Sequence, residues 1–305
     1  MHTMRDDWRQ QREKGNPFVL ALLSWVALNL GRGAIFVMLC PIVFYYFLFV
    51  GRARRASRQF LARALQRPPH WWDIYRHLLT FAVVSMDRIL FLAGREKKFQ
   101  LEIHGGELFT YYRDKGCVLL AAHFGSFDAM RVMGVREQAL PVRILLDIQH
   151  NPNALTLIQR LDPQLAQGVI DARTPGPALA LLLSECIARG EMVGIMADRG
   201  GSGERTVLQN FFGEPAPFPV GCWQLASVLQ APVIACFGVY HGGNRYALHF
   251  ELITERLGSG RRDRTEAIAQ GMNTYCQRLE HHARQHPLNW FNFYDFWQHD
   301  STGDH

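Results

Sequence analysis

The sequence predicts an α/β protein: a mixed, largely parallel sheet flanked by helices, preceded by an N-terminal apolar helical membrane anchor. Three observations predict it. From about residue 70, compact apolar runs alternate with stretches of helical periodicity, the pattern of strand–helix–strand units. The apolar runs are five to nine residues long, compact and suited to buried strands. Two longer apolar runs occupy the first fifty residues and are bracketed by arginine. With 305 residues, 48% hydrophobic and 20% charged, the chain can bury a full core, which excludes global disorder.

The first sixteen residues are polar and carry Arg5, Arg9, Arg12 and Lys14. Pro17 to Leu30 is almost wholly apolar, Gly31-Arg32-Gly33 interrupts, and Ala34 to Val50 is apolar again with Pro41 inside. A basic stretch follows, with Arg52, Arg54, Arg55, Arg58, Arg63 and Arg67. As a helix the second run would reach roughly 25 Å, short of a hydrocarbon core of about 30 Å. Positive charge on both flanks favours keeping both on the cytoplasmic side, so a helical hairpin or a monotopic anchor fits better than one crossing. A cleaved signal peptide fits poorly, because arginines follow the apolar run and no small-residue cleavage site is evident. The competing reading is a pair of buried core helices. The expected division is residues 1–67 for membrane association and 68–305 for a catalytic domain.

Further along, Trp71 to Leu92 has helical spacing and Phe99 to Ile103 reads as a short strand before the Gly105-Gly106 turn. Glu107 to Tyr112 starts a helix; Cys117 to Ala121 is a buried strand; Ser126 to Met133 is a helix; Pro141 to Leu146 is a strand. Thr174 to Ala188 and Phe218 to Gln230 read as helices, with strands at Met192 to Ala197, Pro232 to Tyr240 and Tyr246 to Leu252. Arg262 to His282 is an amphipathic helix, and the aromatic cluster Trp290 to Trp297 reads as core.

Charge and motif narrow the chemistry. Net charge is +6 with only four lysines, so the basic charge is mostly arginine, suited to phosphate and carboxylate. The six cysteines form no C-x-x-C pair and most sit in apolar runs, which excludes a disulfide scaffold or zinc site and favours a reducing compartment. No G-x-S-x-G elbow and no Gly-Lys-Ser/Thr phosphate loop is present. The histidines at 281, 282, 286, 299 and 305 lack ligand spacing and read as solvated, so no metal is expected. Gly200-Gly201-Ser202-Gly203 reads as a flexible loop.

The strand Cys117 to Ala121 runs into Ala122-His123-Phe124-Gly125-Ser126-Phe127-Asp128. Five residues of continuous helix turn about 500°, so His123 and Asp128 meet only across a strand–loop–helix junction, with Gly125 for the bend and Ser126 as the helix N-cap. A carboxylate on one imidazole nitrogen fixes the tautomer and frees the other to take a proton from a hydroxyl.

These residues resemble the glycerolipid acyltransferase superfamily, most of all the branch of bacterial lipid A biosynthesis acyltransferases and their relatives. The likeness continues through Gly190-Glu191-Met192-Val193-Gly194-Ile195-Met196-Ala197-Asp198-Arg199, then Arg205 and Phe211-Phe212-Gly213, then Phe218-Pro219-Val220-Gly221, and His286-Pro287-Leu288-Asn289-Trp290. It spans roughly residues 15 to 298. Asp128 stands where the lipid A enzymes usually carry Glu, and Val220 where glycerol-phosphate acyltransferases carry Glu. The resemblance implies His123 as the base that deprotonates an acceptor hydroxyl for attack on an acyl thioester, with Asp128 orienting it. Ser126, Asp198, Arg199, Arg205, Phe218, Pro219 and Gly221 are the expected substrate-binding residues. Arg199 and Arg205 would grip a phosphate, and the helix start near Pro219 and Gly221 would offer N–H groups to an anion.

The expected partners follow: acyl carrier protein or coenzyme A as thioester donor, a lipid acceptor and the membrane, with no bound cofactor, no metal and no nucleic acid. The expected location is the cytoplasmic face of a bacterial inner membrane. The alternative is a non-catalytic membrane-bound scaffold or carrier-protein docking module that retains an old site.

Overall fold

The structure, a computed structural model, describes residues 17–112, 114–130, 141–200, 204–258 and 260–297. A seven-stranded sheet runs in the order β1-β9-β8-β2-β5-β3-β4, comprising β1 Gln100–His104, β2 Cys117–Gly125, β3 Val142–Leu146, β4 Val169–Asp171, β5 Met192–Met196, β8 Val233–Tyr240 and β9 Arg245–Thr254. Only β8 with β9 is antiparallel; the other neighbours are parallel. The sequence prediction of a mixed, largely parallel sheet holds. A two-stranded hairpin, β6 Thr206–Phe211 with β7 Glu214–Pro219, stands apart from it.

Ten helices complete the described residues: α1 Pro17–Asn29, α2 Arg32–Phe49, α3 Gly51–Leu65, α4 Trp71–Leu92, α5 Glu107–Tyr111, α6 Pro152–Leu161, α7 Pro163–Ala166, α8 Gly176–Ala188, α9 Gly221–Leu229 and α10 Arg261–Gln285. Residues 127–130 begin a further helix, and the rest of the stretch expected to end at Met133 lies outside the described residues. Residues 201–203 of the expected flexible loop lie outside them too.

Strand β2 shows why the sheet is buried on both faces. Val118, Leu120, Ala122 and Phe124 belong to one core, and Leu119 and Ala121 to the other, as the two-residue period of a strand requires. The first core holds α3, α8, α9 and α10 with the start of α4 and the end of α2; the second holds α1, the rest of α4 and the start of α2. Among the described residues all six cysteines are free thiols, five of them buried.

Helix α4 starts with a capping box, in which the His70 N–H donates to Asp73 Oδ2 at 2.9 Å. Its buried His77 is pinned from both sides: Nδ1 lies 2.9 Å from Ser57 Oγ on α3, and Nε2–H donates to the Trp290 carbonyl at 2.9 Å. The basic stretch after residue 50 is α3, whose Arg54 donates to the Phe47 and Leu48 carbonyls and so caps the C-terminus of α2.

Two expectations need correction. The helix expected from Phe218 begins at Gly221, because Phe218 and Pro219 close β7. Pro215, Pro217 and Pro219 punctuate β7 at every second position, which hides the strand in the sequence; an isolated hairpin edge tolerates the missing N–H donors. Phe212 and Gly213, at φ 57° and 81°, supply its two-residue turn. His282, expected to be solvated, is 3% exposed, stacks near Phe237 and pairs with Glu251 at 2.9 Å. The aromatic cluster is core as expected, with Trp290 and Phe296 fully buried.

Burial holds His77 at about 4, well below its ordinary 6.5, so the folded chain keeps it neutral. Between those values the unfolded chain binds a proton the folded chain refuses, and stability falls as pH falls through that window. The loss approaches about 3 kcal/mol near pH 4. His249 and His286, also depressed to about 4 by burial and by neighbouring histidines, act in the same window and with the same sign. The expected result is a denaturation midpoint that drops steeply from pH 6.5 to pH 4, and a shallower drop in His77→Gln.

Candidate functional site

The site is built by strand register. In the parallel pair β2–β5, Ala121 stands opposite Met196, and the Ala197 N–H bonds the Ala121 carbonyl at 2.8 Å. Two residues further on, His123 within β2 and Asp198 just past the end of β5 come side by side. The Nδ1 of His123 lies 2.8 Å from Asp198 Oδ1, and the His123 backbone N–H donates to Oδ2 at 3.0 Å. Trp290 Nε1–H also donates to Oδ2, at 3.1 Å. The Asp198 carboxylate, 2% exposed, therefore meets three donors, which is what a buried charge needs.

The loop after His123 is fixed by close packing. Gly125, at φ 57°, bends the chain, and a Cβ there would fall 1.7 Å from the Gly238 carbonyl oxygen. The C-terminal segment clasps the same loop: Gly125 N–H bonds the Asn289 carbonyl at 2.8 Å and Phe291 N–H bonds the His123 carbonyl at 2.7 Å. This pairing adds an antiparallel bridge between Phe124 and Trp290. The His-Pro-Leu-Asn-Trp segment thus braces the His123 loop.

Arg199 Nε–H donates to His123 Nε2 at 3.2 Å. A guanidinium has no lone pair to offer, so Nε2 is the acceptor, and the proton of the neutral ring sits on Nδ1, facing Asp198. The two neighbours fix one tautomer. Burial and then the Arg199 charge lower the His123 pKa below its ordinary value, and Asp198 opposes them. Burial raises the Asp198 carboxyl, but the charge and hydrogen bond of His123 outweigh it and hold it at about 2. The ring is neutral at pH 7 with its Nε2 lone pair, which accepts from Arg199, turned to the carboxyl edge of the sheet, the edge where open α/β sheets bind ligands. Its side chain is 28% exposed.

Asp128 does not meet this ring. Both imidazole nitrogens are already engaged, and no described hydrogen bond joins Asp128 to His123. Its carboxylate lies 3.3 Å from Arg88 Nε on α4 instead. The expected pairing within the motif is corrected to a pairing across two strands. The reason is geometric: neighbouring strands lie about 4.8 Å apart, within direct reach, whereas Asp128 lies beyond a bend on the first turn of another element.

The other expected residues divide. Ser126 is 2% exposed, and its Oγ accepts the Ala129 N–H at 3.1 Å, so it is a helix N-cap. Arg205 is exposed, and its carbonyl accepts the Val220 N–H at 3.1 Å; no described contact joins it to Arg199 or His123. Phe218 is 1% exposed and packs edge-on against Phe211 and Phe296, as core. Pro219 is buried at the end of β7. At Gly221 a Cβ would lie 2.6 Å from Glu204 Oε1. The start of α9, where an anion was expected, faces the protein's own carboxylate.

Three participants escaped the sequence reading: the pairing role of Asp198, the Trp290 indole that steadies it, and Arg88. The signal for the first lay in the two strand ends, but it needed the strand order, which places β5 beside β2. Among the described residues no group of three His, Cys, Asp or Glu is arranged to hold a metal ion.

An imidazole locked in one tautomer by a buried carboxylate, at the carboxyl edge of an α/β sheet, has the chemistry of a candidate general base. The chain belongs to the family of bacterial lipid A biosynthesis acyltransferases, which it matches over residues 77–299. The match covers the sheet, the site and the C-terminal clasp, and places the chain among acyltransferases. A comparison with curated proteins found no match.

Arg199→Gln removes the positive charge that helps depress His123. The expected result is an acid limb of kcat/KM shifted to higher pH, read from a pH–rate profile; an unmoved limb places the Arg199 charge away from the ring.

Proposed function

We propose that this chain moves a fatty acyl group from an acyl thioester, carried by acyl carrier protein or coenzyme A, to a hydroxyl of a lipid acceptor at the cytoplasmic face of a bacterial inner membrane. The observation that carries the reading is the His123 ring, tied through Nδ1 to Asp198 with the Nε2 lone pair toward the sheet edge. Family membership supplies the reaction class.

The acceptor hydroxyl takes the place of Arg199 Nε as the partner of Nε2 and gives its proton to the ring. The oxygen bonds to the thioester carbonyl carbon, and the carbonyl electrons move onto oxygen. The resulting imidazolium is stabilised by Asp198. When the tetrahedral oxyanion collapses, the C–S bond breaks and the thiol leaves with the proton returned from Nε2. Arg199, displaced but adjacent to Nε2, offers a cation to the developing oxyanion, and a fixed charge there stabilises the transition state more than the ground state.

The test is direct. Purified full-length chain is incubated with a labelled acyl thioester and a total lipid extract from a Gram-negative membrane, and products are read by mass spectrometry. The expected result is one lipid class heavier by one acyl group, with free thiol released in equal amount. Thiol release without any acylated lipid, or no consumption of thioester, overturns the reading.

A further inference from the structure

Among the described residues α2 is the one helix long and apolar enough to cross a membrane. Its packing argues for another placement. The buried residues Ile35, Leu39, Val43 and Phe47 recur at every fourth position and form a single stripe. That stripe lies along α4 in antiparallel fashion. At one end Arg32 Nε pairs with the buried Asp87 at 2.7 Å, and at the other the Phe47 ring stands 6.3 Å from the Tyr75 ring. Between them Tyr75 O–H donates to the Cys40 carbonyl at 3.1 Å. Helix α4 is in turn fastened to the body, since His77 holds the Trp290 carbonyl and Tyr246 on β9 donates to Asp87 at 2.8 Å. A crossing α2 would carry α4, with Asp73, Arg76, Asp87 and Arg88, and the sheet behind it into hydrocarbon, where backbone edges and charges go unsatisfied.

The outward face of α2 is of a different character. Val37 and Phe49 are each 69% exposed and Tyr45 is 65% exposed, and Trp25 on α1 and Trp71 on α4 are exposed as well. Trp and Tyr favour the headgroup level of a bilayer. Helix α3, starting two residues after α2 ends, presents Arg52, Arg55 and Arg58 to solvent.

We propose that α2 lies in the plane of one leaflet of an anionic bilayer, as a monotopic docking face, and does not span the membrane. An apolar face bordered by arginines is what an interfacial helix needs, the rings entering the acyl boundary and the guanidinium groups meeting anionic headgroups. The placement deepens the membrane part of the proposed function and explains how a lipid acceptor reaches the base. Arg32, at the N-terminus of α2, also donates to the Tyr240 hydroxyl at 2.8 Å. Tyr240 ends β8, the strand paired with the His123 strand. The leaflet surface therefore borders the sheet edge that holds the imidazole.

The experiment measures depth. Full-length chain with Cys40→Ala, carrying a spin label at Val37→Cys, Tyr45→Cys or Phe49→Cys, is bound to phosphatidylcholine vesicles with about one phosphatidylglycerol in four. Collision with oxygen and with a polar nickel chelate then reports depth. An in-plane helix gives all three labels the same shallow depth. A spanning helix separates positions 37 and 49 by roughly 18 Å along the normal, with 45 between them; that result overturns the proposal, as does failure to bind vesicles at all. The triple variant Arg52→Gln, Arg55→Gln, Arg58→Gln should weaken vesicle binding by about tenfold or more, and unchanged binding contradicts the role given to α3. Neither readout uses catalysis, so failure here leaves the acyl-transfer reading standing, and failure of acyl transfer leaves this one standing.

Discussion

Asp198→Asn lowers acyl transfer by about three to four orders of magnitude while the chain stays folded. The substitution is nearly isosteric, and the amide oxygen still accepts the His123 backbone N–H and the Trp290 indole N–H that the carboxylate accepts. What changes is the group opposite Nδ1. An amide NH2 there donates, so Nδ1 becomes the acceptor and the ring proton moves to Nε2, the atom that must be bare to take a proton. The negative charge that stabilises the imidazolium is lost as well, in a site where burial makes each charge count. The check is turnover under saturating thioester together with a far-UV spectrum and melting curve. Asp128→Asn, which breaks the 3.3 Å pairing with Arg88, is expected to cost less. A larger loss at Asp128 than at Asp198 would return the ring's partner to the His-x4-Asp spacing.

His123→Gln removes the base itself. Glutamine has no nitrogen lone pair that takes a proton near neutral pH, so the general-base contribution, about 10²- to 10⁴-fold, goes entirely. The side chain is only half-buried and sits at a strand end, so the fold loses little. The loss is expected in kcat more than in KM, because the ring acts on a proton in flight and contributes little to ground-state binding. Single-turnover kinetics with labelled thioester separate the two. A variant with near-normal kcat would remove His123 from the chemistry.

The sequence made much of this architecture legible, and the parts it hid have physical causes. The sequence predicts helix α4 with its observed bounds, Trp71–Leu92, because its apolar spacing is regular over six turns. The buried strands β2, β5 and β8 were legible because both their faces are covered, which leaves compact apolar runs. The hairpin β6–β7 was not, since Pro215, Pro217 and Pro219 imitate a loop. His282 was misplaced because a histidine-rich helix end looks solvated until β9 supplies Glu251 and His249 to cover it.

At the site, His123 was found through its local motif, but its partner was not. Spacing along the chain brought Asp128 forward, whereas proximity was set by the sheet. Asp198 lies seventy-five residues later, two residues past the end of β5, and only the β2–β5 register places it against Nδ1. The same limit explains Trp290, whose indole reaches Asp198 because the C-terminal segment pairs with Phe124. Gly221 was expected to leave a helix start open to a substrate anion; the side chain of Glu204 closes it, a contact no local pattern announces.

The most direct measurement is a nitrogen–proton correlation spectrum of the imidazole groups in chain labelled with ¹⁵N-histidine, recorded near pH 7 on the wild type, Asp198→Asn and Asp128→Asn. In the wild type His123 should show a proton on Nδ1, shifted strongly downfield by its carboxylate, and an unprotonated Nε2. Asp198→Asn should abolish that signal and Asp128→Asn should leave it in place. A wild-type ring protonated on Nε2, or a signal lost with Asp128 and retained without Asp198, would contradict the account.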